Sequence, residues 1–174
     1  MNYLTEEIHR ICEEYSIKKY TINDDGSIDV DGNVNLFDKR LTKLPLKFNN
    51  VSGDFICSVN NLTTLEGCPQ SVGGHFSCHY NKLTTLLGSP KSVGGDFHCG
   101  YNNLTTLEGS PKSIGGGFYC YDNNLTTLEG SPKSVGGHFR CIDNPIYHQL
   151  GDIDYISYIK QFNRDKILNE LLSR

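Results

Sequence analysis

Residues 118–128 read FYCYDNNLTTL, and the segment that follows, residues 129–137, reads EGSPKSVGG. The same skeleton recurs at steps of 21 residues along most of the chain. Its anchor position holds Val34, Phe55, Phe76, Phe97, Phe118 and Phe139, and two residues on stand Leu36, Cys57, Cys78, Cys99, Cys120 and Cys141. Five on come Lys39 and then Asn60, Asn81, Asn102, Asn123 and Asn144. Seven on are Leu41, Leu62, Leu83, Leu104, Leu125 and Ile146, and ten on are Leu44, Leu65, Leu86, Leu107 and Leu128. A fixed period of this length means a solenoid, in which each repeat buries its apolar face only by stacking on its neighbours.

Each column has a physical reading. Alternation over a short strand sends the Phe and Cys inward and the residues between them outward. The chain must then turn, and an amide side chain at that point can bond backbone groups nearby. Glycine and proline are too dense in EGSPKSVGG for a helix, so the return is expected to be extended or turn-like. The ends of such a stack need covers. Ile8, Ile11, Cys12 and Tyr15 lie at helical spacing after Thr5, a candidate N-cap. YTI and SIDV flank Asn23-Asp24-Asp25-Gly26, which reads as a hairpin. Near the end, IDYISYIKQF and DKILNELLS read as two covering helices. The fold expected is an α+β repeat solenoid with a parallel sheet of six 21-residue rungs. It divides into a cap over 1–33, repeats over 34–144 and a helical cap over 145–174, all one domain.

Pattern and spacing, apolar-x-apolar-x-x-Asn-x-Leu-x-x-Leu, match the leucine-rich repeat. The segment NNLTTLEGSPKSVGG and the stretch TINDDGSIDVDGNVNL resemble small leucine-rich-repeat proteins encoded by large tailed bacteriophages, and more distantly the bacterial-type repeats of secreted effectors. That resemblance implies the solenoid and a phage origin. It carries over no catalytic residue, because the chain has no room for the catalytic domain some effectors attach.

Composition narrows the function. With 16 basic and 20 acidic residues the formal charge is −4, which argues against a nucleic-acid-binding surface. No apolar run approaches a membrane span, and the start has no basic region followed by an apolar one, so a cytoplasmic location is expected. Seven cysteines are an odd number, and five of them form a packing column. Neighbouring strands would hold those ~4.8 Å apart, beyond the ~3.8 Å Cβ separation of a disulfide. Cys68 stands where other rungs have Ser89, Ser110 and Ser131, and is expected to be the accessible thiol.

Comparison among rungs separates scaffold from surface. One residue after the anchor stand Asn35, Ile56, Ser77, His98, Tyr119 and Arg140; three after it, Phe37, Ser58, His79, Gly100, Tyr121 and Ile142. Four after it are Asp38, Val59, Tyr80, Tyr101, Asp122 and Asp143, and one before it Asn33, Asp54, His75, Asp96, Gly117 and His138. Aromatic side chains on an open sheet mark a binding hot spot or stabilise the ladder by cross-strand contact; both readings stand. The candidate partner-binding set is Phe37, Ile56, His79, Tyr80, His98, Tyr101, Tyr119, Tyr121 and Arg140. With the resemblance to phage proteins, the expected function is to bind a host protein, such as a defence or metabolic enzyme, and inhibit it by occlusion; the alternative is a structural or assembly adaptor associated with a phage particle. The expected partner is a protein, with no nucleic acid, membrane or cofactor; self-association stays open.

Other signals are weaker. His79 and His98 suggest a zinc pair, but the cysteines face the other way and cannot complete four ligands. Ser27, Asp29, Asp31, Gly32 and Asp38 match a calcium loop in part, with Asp38 where Glu is required. Sequons at Asn50, Asn61, Asn103 and Asn124 follow from the repeat. The GG pairs precede strands and lack the Gly-Lys-Ser/Thr of a phosphate loop. No nucleophile–base–orienter set shares a face, so no enzyme and no metal are expected.

Overall fold

The computed structural model describes residues 3–150 and 154–173. It shows a leucine-rich-repeat-like solenoid with a parallel sheet on each side of one core. The front sheet has six two-residue strands: β3 (Val34–Asn35), β5 (Phe55–Ile56), β7 (Phe76–Ser77), β9 (Phe97–His98), β11 (Phe118–Tyr119) and β13 (Phe139–Arg140). Their register is constant, with anchor beside anchor at every step.

The return segments pair as well. Strands β4 (Phe48–Val51), β6 (Ser71–Val72), β8 (Ser92–Val93), β10 (Ser113–Ile114) and β12 (Ser134–Val135) form the back sheet. The expected hairpin, β1 (Tyr20–Ile22) and β2 (Ile28–Val30), is antiparallel and extends this back sheet through β2 against β4. Glycine is required where rungs meet: a Cβ on Gly94 would lie 2.2 Å from the carbonyl oxygen of Gly73 one rung earlier. Hence the GG before the last four anchors.

Between the sheets the anchor rings form one file. Phe55, Phe76, Phe97, Phe118 and Phe139 stack at centroid distances of 4.9–5.7 Å, and Phe48 closes the near end edge-on at 5.0 Å. Each such contact adds about 0.5–1.5 kcal/mol to the burial of its ring. The asparagine column spans rungs rather than only its own turn. Asn102 Oδ1 accepts from Leu83 N–H one rung back, while its Nδ2 donates to the carbonyls of Cys78, Cys99 and Gly100. Asn81, Asn123 and Asn144 repeat this arrangement.

Three readings of the sequence are corrected. Helix α1 spans Tyr3–Glu14, so Thr5 lies inside it rather than at its cap; Ile8 and Cys12 are buried as expected. The two stretches expected as separate covering helices run together in one long α3 (Tyr155–Leu172), preceded by a short α2 (Pro145–Leu150). No Gly or Pro interrupts α3, and Gln161 donates to Asp165 one turn on, across the expected break. Ile153, where the first of those stretches begins, lies outside the described residues, as do Gly151, Asp152 and Arg174. Asp154 caps α3 through Ile156 and Ser157 N–H, and Tyr155 stacks on Phe139 at 6.1 Å, extending the file of rings to the C-terminal cover.

Cys68 is the third correction: it is buried, only 4% exposed, within the core cluster. A cysteine there is small and apolar enough to turn inward from the loop. Desolvation raises its thiol well above the usual range, as it does those of Cys78, Cys99 and Cys120. All seven cysteines are free. No helix among the described residues is long and apolar enough to cross a membrane.

Candidate binding face

The outer surface of the front sheet gathers the sequence-derived candidates, but not as a flat row. The position four after the anchor has left-handed backbone at every rung: Asp38, Val59, Tyr80, Tyr101, Asp122 and Asp143 all have φ between 51° and 58°. The chain leaves the strand there, and the side chain swings to the rim. Tyr80 and Tyr101 therefore stack at the sheet's edge, centroids 4.1 Å apart and 7° from parallel. They remain 49% and 36% exposed. A hydrogen bond to Tyr80 holds the Tyr101 phenol above its ordinary range.

Tyr121 joins them edge-on, 5.3 Å from Tyr101. Glycine makes this contact fit. A Cβ on Gly100 would lie 2.6 Å from the Tyr121 ring, so the ring occupies the space a side chain would take. Burial raises the Tyr121 phenol. On the neighbouring column His98 stacks on Tyr119 at 4.5 Å. Ring faces are spent on cross-strand contact, as the ladder reading expects. Arg140, next to Tyr119 in register, is exposed. Phe37 is 49% exposed at the far end of the sheet, and Ile56 is half-buried.

Two outward positions are not surface at all. Ser58 and Ser77 are buried, because small side chains sink between larger neighbours. Their hydroxyls lie 2.8 Å apart, and Ser77 Oγ lies 2.6 Å from His79 Nδ1. A network of Ser58, Ser77 and His79 thus crosses two rungs. Alternation alone marks these serines as exposed; their small size among aromatic neighbours is the signal that could have found the network. Burial lowers the His79 imidazole, and burial chiefly lowers that of His98, although Asp96 opposes it.

The position before the anchor also serves the scaffold. Asn33, Asp54, His75 and Asp96 each accept, through a side-chain atom, the backbone N–H of the residue one rung on, at 2.7–2.9 Å. Gly117, with no side chain, ends that ladder. The weaker signals disperse: Asp29 accepts from Asn49 and Asn50, Asp31 from Ser52, and Ser27 bonds Asp25. His79 turns to Ser77 while His98 turns to Tyr119. Among the described residues no three His, Cys, Asp or Glu are placed to share a metal ion.

No protein-family model matches this chain, and no curated protein or solved structure matches it either.

Proposed function

We propose that the protein is a binding module whose front face receives a partner protein and occludes part of it. The observation that supports this most directly is the aromatic cluster at the rim, where the stacked Tyr80 and Tyr101 stay 49% and 36% exposed. Tyrosine and arginine are enriched where binding energy concentrates, since they offer large, stiff, amphipathic surfaces. Cross-strand stacking pre-orders these rings, so little side-chain entropy is lost when a partner arrives. The site is read as Phe37, Ile56, His79, Tyr80, His98, Tyr101, Tyr119, Tyr121 and Arg140, with the tyrosines and Arg140 at its centre. Resemblance to small phage repeat proteins points to a host protein as the partner, such as a defence or metabolic enzyme.

The test pairs two variants. Tyr119, Tyr121 and Arg140 are replaced by Ser in one, and Lys91, Lys112 and Lys133, exposed beside the back sheet, in the other. Captured partner should be lost from the first, by about 2 kcal/mol or more for each true hot spot, and retained by the second. Partner loss only in the lysine variant would move the interface to the back of the solenoid.

A further inference from the structure

At the ridge where the front strands turn back, each rung covers the flank of the one before. A Cβ on Gly67 would meet the Leu46 carbonyl at 2.9 Å, and one on Gly88 would meet Leu65 at the same distance. The first rung has no predecessor there, since the β1–β2 hairpin joins the back sheet. Its leucines show the consequence. Leu41 is only partly buried, whereas Leu62, Leu83, Leu104 and Leu125 in the same column are fully enclosed. The uncovered flank is a cleft of about 760 Å³, floored by Leu41, Leu44 and Leu46. A volume of this order suits a small molecule rather than a protein surface.

Charge at this cleft reverses the trend of the chain. The stretch KRLTKLPLK, residues 39–47, puts four cations into a protein of net charge −4. Lys43 stands where the next four rungs have Thr64, Thr85, Thr106 and Thr127. Pro45 stands where they have Glu66, Leu87, Glu108 or Glu129. Lys47 is neutralised by Asp25 at 2.5 Å, and Glu66 lines the far rim. Among the described residues no ion pair engages Arg40 or Lys43, which are both exposed at the mouth. Free cations beside an apolar floor recognise a molecule with an apolar body and an anionic end.

We infer that the first-rung cleft binds a small amphiphilic carboxylate, its chain on Leu41, Leu44 and Leu46 and its carboxylate against Arg40 and Lys43. This site lies apart from the front face and does not depend on it. Octanoate, with 1-octanol as the uncharged control, tests it on the full chain by NMR of leucine methyls. Octanoate should shift the methyls of Leu41, Leu44 and Leu46 saturably, and octanol much less. The variant Arg40→Gln/Lys43→Gln, altered only at exposed positions, should keep the reference spectrum of the fold. It should bind octanoate roughly tenfold or more weakly, the scale of a lost charge-assisted contact. Methyls that do not move, octanol binding equal to octanoate, or undiminished affinity in the charge variant would each overturn the assignment. So would binding to anionic vesicles without any methyl shift from octanoate, which would make the basic stretch a membrane contact.

Discussion

Asn102→Ala should remove one specific support from the middle of the stack. The side chain is 8% exposed and makes four hydrogen bonds, but they are not equally replaceable. After truncation Cys78 O still accepts from Asn81, Cys99 O from Asn123, and Gly100 O from Tyr80 N–H. Leu83 N–H, in a fully buried residue, loses its acceptor. One buried donor left unpaired costs about 1–3 kcal/mol, which in a chain of this size lowers Tm by roughly 2–12 °C. Asn102→Asp sharpens the test. It keeps an acceptor for Leu83 but points a carboxylate at three carbonyl oxygens, so burial and those oxygens should raise its folded pKa above ~3.9. The folded state then holds a proton that the unfolded state releases. The deficit relative to wild type should therefore be small at acid pH and grow as pH rises through the folded pKa. Thermal melts by circular dichroism at pH 4 and pH 7 read both effects. Melts within 1 °C of wild type for Asn102→Ala, or a pH-independent deficit for Asn102→Asp, would refute the inter-rung role of this column.

Three further outcomes are expected. All seven cysteines should react slowly with an aromatic disulfide reagent in the native protein and promptly in denaturant; one thiol labelling fast, Cys68 above all, would contradict its inward placement. Val59 holds φ 56° where Asp38, Asp122 and Asp143 stand in other rungs, so Val59→Asn should relieve about 1 kcal/mol of strain and raise Tm, and an unchanged or lower Tm would count against it. His79 and His98 are lowered by burial, so the unfolded chain takes up protons first: their contribution is complete above about pH 6.5 and is lost as pH falls through the folded values. His79→Gln/His98→Gln should therefore lose less Tm than wild type between pH 7.5 and pH 5.5, and an equal loss would dismiss these two groups as the source.

Much of the architecture was legible in the chain because a strict period leaves few solutions. Phe97 and Cys99 face inward, Leu104 is buried and Asn102 bonds backbone, since every rung must satisfy the same two neighbours. The candidate face was legible only as a set of residues. Alternation says that Ser77 and Tyr119 share an orientation; it does not say that Ser77 sinks among larger groups while Tyr119 stacks on His98. Nor does it say that the next column is left-handed backbone, which carries Tyr80 and Tyr101 to the rim.

The linear sequence by itself determined the rung length, the inward columns, the glycine-rich returns and the presence of covers, because those depend on periodicity and local stereochemistry. Tertiary structure decided what depends on which side chain neighbours which across rungs. It turned Cys68 into the core and linked each asparagine to the rung before. It made the position before the anchor a hydrogen-bond ladder, and it left Leu41 and Leu46 of the first rung only partly covered beside Arg40 and Lys43. These are properties of contacts about one rung apart, and a side chain's own position in the repeat does not specify the size or charge of the residue that stacking brings beside it.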